Sequence, residues 1–507
     1  MSLGRLLRGA GLYAIGSALP RGVAFLLLPV YAAAMLPESF GVFSLALTLI
    51  GLLVVLYRLG LDGAMVRLHF DMLDRRRPAL YRSLAAVTGV AVIGGSIVVG
   101  AVLAAGFEAL LPGVPFAPVG LLILAVAALS AFGYIPTSLF RAAEQPVRFV
   151  AFSVGAAATG IGATAYFLLV ARMDVTGALL GQLASAVFVA GFSAVALLRL
   201  RGGGPEWRLA RAGLAFGVPL VPHGLAGWAM NLSDRWLIGL LIGLPALAAQ
   251  AAVGVYSFGY LVGQVAGIAA ISFNAAWTPT FFQRGEGPAG PRLLREMTTL
   301  SLGGLSLIVA GIALLGPVAA GQLARGVWGA QALAMADVSA IVAFSALPYG
   351  LYFMLVGTLF LRKQTRGLPL LTMASAATGI GANLVLIPTY GIVGAAWATL
   401  GSYAVLAGLT WWLAARGYRI HLDLRRLGLI LLATVAALVA ARVLATPSLT
   451  VQLVRGMALL AALAGVNALL LRGPVGSLRG LLAAGSDAPA PGSRQPPDTI
   501  GAPKEDA

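Results

Sequence analysis

Apolar runs of about twenty residues recur along almost the whole chain, and each is long enough to cross a ~30 Å hydrocarbon layer as a helix. The periodicity predicts fourteen spans, at about 9–36, 40–64, 83–107, 119–141, 149–171, 177–198, 212–240, 252–276, 297–322, 338–361, 368–388, 392–415, 427–446 and 451–471. With 60% hydrophobic and only 10% charged residues, the chain lacks the polar surface that a soluble protein of 507 residues would carry. The expected class is therefore an all-α polytopic membrane protein. Cysteine is absent, which excludes disulfides and thiolate metal sites. The three histidines, His69, His223 and His421, stand far apart and form no metal-spacing motif.

The net charge of +17 invites a nucleic-acid partner, but the placement of the charge argues against one. With the N-terminus inside, most of the 34 Lys and Arg fall in cytoplasmic segments. These include Arg75-Arg76-Arg77, Arg199 and Arg201, Arg362-Lys363, and Arg425-Arg426. The positive-inside rule then puts both termini in the cytoplasm, and the basic segments suit an anionic leaflet. Arg5 and Arg8 precede an apolar run ending in Ala32-Ala33-Ala34, as in a signal peptide. The run is too long and carries Arg21 in its middle, which fits a retained first helix. The tail beyond Arg472, with APAPGSRQPPDTIGAPKEDA at its end, is expected to be disordered.

The string AATGIGA occurs at Ala157–Ala163 and again at Ala376–Ala382, an offset of 219. YIPTSLF at Tyr134–Phe140 answers ALPYGLY at Ala346–Tyr352, offset 212, and FGVFS at Phe40–Ser44 answers VGVYS at Val253–Ser257, offset 213. Three echoes in one order define an internal repeat. They pair spans 2 with 8, 4 with 10 and 5 with 11. A shift of six helices preserves orientation, so the repeat is parallel, about an axis along the membrane normal. The expected organisation is an N-lobe (1–205, spans 1–6), a C-lobe (206–418, spans 7–12), two added helices (419–472) and a disordered cytoplasmic tail (473–507). Two like-oriented bundles suit alternating access, with substrate between them.

An ionisable group inside a span is expensive and by default faces a cavity. Arg21 lies directly after Pro20, about 18 Å along span 1 at 1.5 Å per residue. Arg58 and Asp62 are four apart near the inner end of span 2; either they neutralise each other, or Arg58 joins Arg21 as a second cation. The stretch PLVPHGLAGWAMNLSDRWLIG, Pro219–Gly239, is the most polar part of any span. In it, Trp228 and Asn231 are candidate sugar or headgroup contacts. His223 is either a titrating group or a structural histidine, and Asp234 with Arg235 is either an outer gate or an interfacial ion pair. Span 8 adds Tyr256, Tyr260, Gln264 and Asn274. Embedded arginine favours an anionic substrate, because its planar fork fits phosphate oxygens. There is no Walker A loop and no nucleophile–base pair, so neither a cofactor nor an enzymatic reaction is implied.

These motifs resemble the bacterial polysaccharide biosynthesis, or oligosaccharide flippase, proteins, whose superfamily also holds multidrug and toxic-compound exporters and lipid II flippases. The carrying residues are LPVYAAAMLPESFGVFS, RLGLDGAMVR, PLVPHGLAGWAMNLSDRWLIG followed by VGVYSFGY, and IPTYGIVGAAWATLGSY. The resemblance implies an inner-membrane carrier that turns undecaprenyl-diphosphate-linked oligosaccharide to the outer leaflet for O-antigen, capsule or exopolysaccharide synthesis. It implies a cationic central cavity, coupling to a proton or sodium gradient, and membrane lipids, a polysaccharide polymerase and glycosyltransferases as partners. By position it matches Arg21, with Arg58 as a second cation, to the diphosphate; the polar and aromatic groups of spans 7 and 8 are then expected to line the sugar path. Asp62, His223, Asp234 and Arg235 are the candidate gating or coupling residues. The competing readings are a cation-coupled multidrug exporter and a lipid II flippase.

Overall fold

The computed structural model describes residues 16, 22, 25–323, 328–364, 367–443 and 448–484. Its described residues form helices joined by short connections, with no strand among them. In chain order these are α1 (Leu28–Ala34), α2 (Pro37–Arg58), α3 (Leu61–Asp71), α4 (Arg77–Leu110), α5 (Phe116–Ser130), α6 (Tyr134–Ala142), α7 (Pro146–Ala165) and α8 (Val175–Arg199). There follow α9 (Trp207–Gly217), α10 (Val221–Leu241), α11 (Ala246–Arg284), α12 (Gly290–Leu323), α13 (Ala332–Leu361), α14 (Leu368–Ala415), α15 (Leu424–Val443) and α16 (Leu449–Ala484).

Eleven of the described helical runs are long and apolar enough to cross a membrane. α14 covers two of the expected spans, because Gly391 takes φ +56° and ψ −137° and breaks its 48 residues into two helices. α10 falls short of the hydropathy of the eleven because of its polar run, yet it packs lengthwise between α2 and α14. The described residues of spans 2 to 14 thus fall on these helices and the turns that break them, while most of span 1, Arg21 included, lies outside the described residues.

Three expectations are corrected. Span 2 does not run straight through 40–64: Leu59 (φ +48°) and Gly60 (φ +67°) both adopt left-handed backbone and separate α2 from α3. Gly60 is required there, since a Cβ on it would stand 2.2 Å from the Gly217 carbonyl oxygen. Span 7 begins earlier and is broken by a 3₁₀ turn at Val218–Leu220, where Pro219 removes a helix donor and Pro222 starts the next helix. The last helix runs past Arg472 to Ala484, so residues 473–484 are helical and the expected tail is shortened. Leu478 explains this: it is buried in a cluster with Trp277, Phe281, Leu293, Leu294 and Met354.

The repeat is visible as duplicated contacts. Ser185 Oγ donates to Ala156 O at 2.9 Å, and Ser402 Oγ donates to Ser375 O at 2.8 Å. In each copy the first glycine of AATGIGA faces that serine: a Cβ on Gly160 would lie 3.2 Å from Ser185 Cβ, and one on Gly379 3.1 Å from Ser402 Oγ. The string recurs because the same helix pair closes over the same small residues twice.

The two copies of FGVFS and VGVYS meet each other. A Cβ on Gly41 would stand 1.8 Å from Gln250 O, and one on Gly254 would stand 1.9 Å from Pro37 O. Gly41 and Gly254 are repeat equivalents, as are Pro37 and Gln250, at offset 213. The contact between α2 and α11 is therefore reciprocal about a local two-fold axis. Around it Tyr31, Phe40, Phe43, Phe258 and Trp328 pack with ring centroids 5.1–6.2 Å apart. Trp328 Nε1 donates to Met35 O at 3.1 Å, and Gln250 Nε2 donates to Pro112 O at 2.8 Å. α15 and α16 pack on α12, outside this arrangement.

Replacing Gly41 by Ala should therefore force two backbones apart and cost about 1–3 kcal/mol. Gly254→Ala should cost the same, and the double variant less than the sum, because one separation relieves both clashes. Gly89→Ala, with nothing within 4 Å, is the neutral control. Unfolding midpoints of the four variants and wild type in detergent measure this.

Candidate functional site

Below the glycine crossing a cavity of about 530 Å³ opens between the two halves of the chain. The first half contributes Tyr31, Phe43, Ser44 and Gln182, and the second contributes Asn231, Arg235, Tyr260, Gln264, Tyr349 and Tyr403. Phenols, amides and one guanidinium thus face a space inside the membrane-crossing bundle.

α10 supplies the polar cluster. Asp234 and Arg235 are 3% and 5% exposed and form an ion pair at 2.8 Å. Asp234 Oδ1 accepts from Arg235 Nη1 at 2.8 Å and from the Arg235 backbone N–H at 2.9 Å, while the Tyr256 hydroxyl donates to Oδ2. Arg235 Nη1 also donates to Asn231 O at 2.8 Å. The Tyr260 ring lies 4.4 Å from the guanidinium carbon, a cation–π contact that fixes the plane of the fork. The Asn231 amide donates to Gly227 O at 2.8 Å and accepts from the Tyr403 hydroxyl at 2.9 Å. The Tyr403 ring in turn packs against Tyr349, tilted by 38° with centroids 4.5 Å apart. A buried charge pair is tolerable only with its remaining sites filled, and this network fills those of the carboxylate.

The other sequence candidates separate by place. Gln264 lines the cavity one turn beyond Tyr260. Asn274 continues the face of α11 that carries Gln264, Gly267 and Ile271, and accepts from Thr278 Oγ1 at 2.7 Å. Tyr256 is fully buried behind the wall and holds Asp234 rather than facing the space. Trp228 Nε1 donates to Thr48 O at 2.9 Å and ties α10 to α2. His223 Nδ1 lies 2.9 Å from Thr372 Oγ1, a hydrogen bond that links α10 to α14.

Arg58 is not in this cavity. Its Nε and Nη2 donate to Ala131 O at 3.1 Å and Ser130 O at 2.9 Å, carbonyls at the 3₁₀ turn Ala131–Gly133 between α5 and α6. It lines a second cavity, of about 430 Å³, within the first half, together with Thr137, Arg141 and Gln182. Among the described residues no ion pair joins Arg58 to Asp62. The left-handed break at Leu59–Gly60 destroys the helical spacing that the pair needs, and Asp62 is exposed on α3. Arg21 lies outside the described residues.

Tyr31, Gln182, Tyr349 and Tyr403 were not singled out by the sequence reading. Gln182 and Tyr403 are polar groups inside apolar spans, which is the signal that would have found them.

The model of the polysaccharide biosynthesis protein family matches residues 6–284. The chain belongs to that family. Its fold is similar to that of the lipid II flippase MurJ in an inward closed conformation, at TM-score 0.69 and 12% identity, covering 90% of this chain and 98% of that one. It is also similar to an inward-facing multidrug resistance MATE transporter of the MOP superfamily (TM-score 0.60, 15% identity, 78% and 94% covered). A MOP superfamily transporter from Pyrococcus furiosus has TM-score 0.54 at 14% identity, with 82% and 98% covered. No curated protein matches the sequence. The chain therefore shares the fold of the MOP transporters and flippases.

Asp234→Ala should strand the Arg235 charge in the core and cost about 3–5 kcal/mol, whereas the paired Asp234→Leu/Arg235→Met should lose far less. Thermal unfolding of the purified variants distinguishes the two.

Proposed function

We propose that this protein flips undecaprenyl-diphosphate-linked oligosaccharide across the bacterial inner membrane for the synthesis of a surface polysaccharide. The observation that carries the reading is the character of the central cavity. Flat phenol faces and amides are groups that receive sugar rings and hydroxyls, and a guanidinium suits the phosphate end. Family membership and the flippase-like fold support it.

The halves, 1–205 and 206–418, act as two lobes that rock about the substrate, with 419–472 added to the second. Both termini are cytoplasmic, so the Gly41–Gly254 crossing seals the outer side. Opening outward separates α2 from α11 there, and a proton or sodium gradient makes the cycle directional. Arg21 and Arg58 act on the diphosphate as it approaches from the inner leaflet. A multidrug exporter for cations would place a carboxylate on the cavity wall. Asp234 is instead turned onto Arg235 and Tyr256, which favours the anionic substrate.

The test is flipping in proteoliposomes, using a fluorescent polyprenyl-diphosphate oligosaccharide and an impermeant quencher. Wild type should expose the probe to the quencher, and Arg21→Ala and Tyr403→Ala should slow it at least tenfold while remaining folded. No flipping, alongside gradient-driven transport of a cationic dye, overturns the proposal in favour of drug export.

A further inference from the structure

A polar cavity of about 760 Å³ lies where α11, α13 and α14 end, on the side that the proposed topology gives to the cytoplasm. It shares no lining residue with the central cavity. Its wall carries Arg362, Arg416, Arg419 and His421, with Glu286 of opposite charge among them. All five are exposed, and among the described residues no carboxylate forms an ion pair with any of the three arginines. The wall is fixed in advance. Arg362 Nε donates to Gly417 O at 3.0 Å, and the Tyr418 hydroxyl donates to Gly285 O at 2.8 Å, so the three segments are tied to one another. The Tyr418 ring packs on Phe281 with centroids 6.1 Å apart. A ligand entering here has little left to order.

An apolar notch of about 420 Å³ adjoins this cavity and shares Ala415 and Arg416 with it. Its other walls are Gly408, Trp411 and Trp412. Gly408, Trp411, Trp412 and Ala415 stand at i, i+3, i+4 and i+7, on one face of α14. That face looks outward from the bundle: a Cβ on Gly408 would meet nothing within 4 Å, and Trp412 is 55% exposed. At the seam between notch and cavity the Arg416 guanidinium carbon lies 3.6 Å from the centre of the Trp412 ring. A cation held on an aromatic ring at the edge of the hydrocarbon is placed for a ligand with a charged head and an apolar chain.

We propose that the joined cavity and notch hold one anionic phospholipid of the cytoplasmic leaflet as a resident ligand, its phosphate among Arg362, Arg416 and Arg419 and an acyl chain along the Gly408–Trp412 face. Charge selects the occupant. An anionic headgroup complements the arginines, whereas the ammonium of a zwitterionic headgroup would be brought against them. The inference takes its topology from the proposed function and goes beyond it, since it involves neither the carried lipid nor the central cavity. The bound headgroup bridges the ends of three elements of the second half.

The experiment is native mass spectrometry of the full-length protein released from nonionic detergent, titrated with phosphatidylglycerol, phosphatidylcholine and glycerol 3-phosphate. Wild type should bind one phosphatidylglycerol at least tenfold more tightly than either other probe. Arg362→Gln/Arg416→Gln/Arg419→Gln should lose that preference. Arg419→Gln alone should lose part of it, and serves if the triple variant does not fold. Arg75→Gln/Arg199→Gln/Arg201→Gln removes as many charges from elsewhere on the same side and should keep the preference. Gly408→Leu fills the notch, so it should weaken phosphatidylglycerol and leave glycerol 3-phosphate unchanged. Equal losses in the two triple variants would mean a general attraction between a basic face and anionic lipid, and would overturn the site. Glycerol 3-phosphate bound as tightly as phosphatidylglycerol, with Gly408→Leu without effect, overturns the lipid in favour of a soluble phosphate. Equal binding of the two lipids by wild type overturns the inference outright.

Discussion

The structure hangs on a place where two helices have no side chains between them. Gly41 and Gly254 let α2 and α11 touch backbone to backbone, and the touching atoms are the same on both sides. Small residues allow such close approach, and the gain is dispersion along the whole contact rather than any directional bond. Everything that faces the central cavity is placed by how these two helices diverge from that point. The aromatic group around Trp328 fills one side of the crossing, and the Gln250 link to Pro112 ties the other.

From that crossing the two halves depart from symmetry. Phe43 and Ser44 have Tyr256 and Ser257 as repeat equivalents, yet only the second half uses its phenol to hold an embedded carboxylate. The first half places its cation, Arg58, against the broken turn of α5 and α6. A duplicated scaffold has thus been given one polar face per half, with unlike tasks. The shared glycine and serine contacts keep the framework the same while the polar residues differ.

The sequence made the helical class and the span positions legible, because membrane-length apolar runs admit few alternatives. The repeat was legible through its glycines, and their purpose was not, since one string cannot tell which helix it will touch. The polar stretch of α10 was recognised as a site, and Asn231, Tyr260, Gln264 and Arg235 do share one cavity. Spacing left open whether Arg58 pairs with Asp62, because it assumes a continuous helix, and Leu59, a residue that rarely adopts φ > 0, joins Gly60 in breaking it. Tyr31, Gln182, Tyr349 and Tyr403 come from four different spans. Their meeting depends on tertiary packing that no local pattern encodes. The end of the last helix was misplaced for a similar reason: a cluster formed by distant residues, with Leu478 in it, outweighs Pro474.

Gln182 lines both the central cavity and the smaller one beside Arg58. The two chambers are therefore neighbours that share the Gln182 side chain in their linings. One chamber is aromatic and broad, the other narrower with arginines along its wall. Side by side, they present two unlike linings separated by one side chain. A change of side chain at Gln182 would therefore alter the lining of both chambers at once.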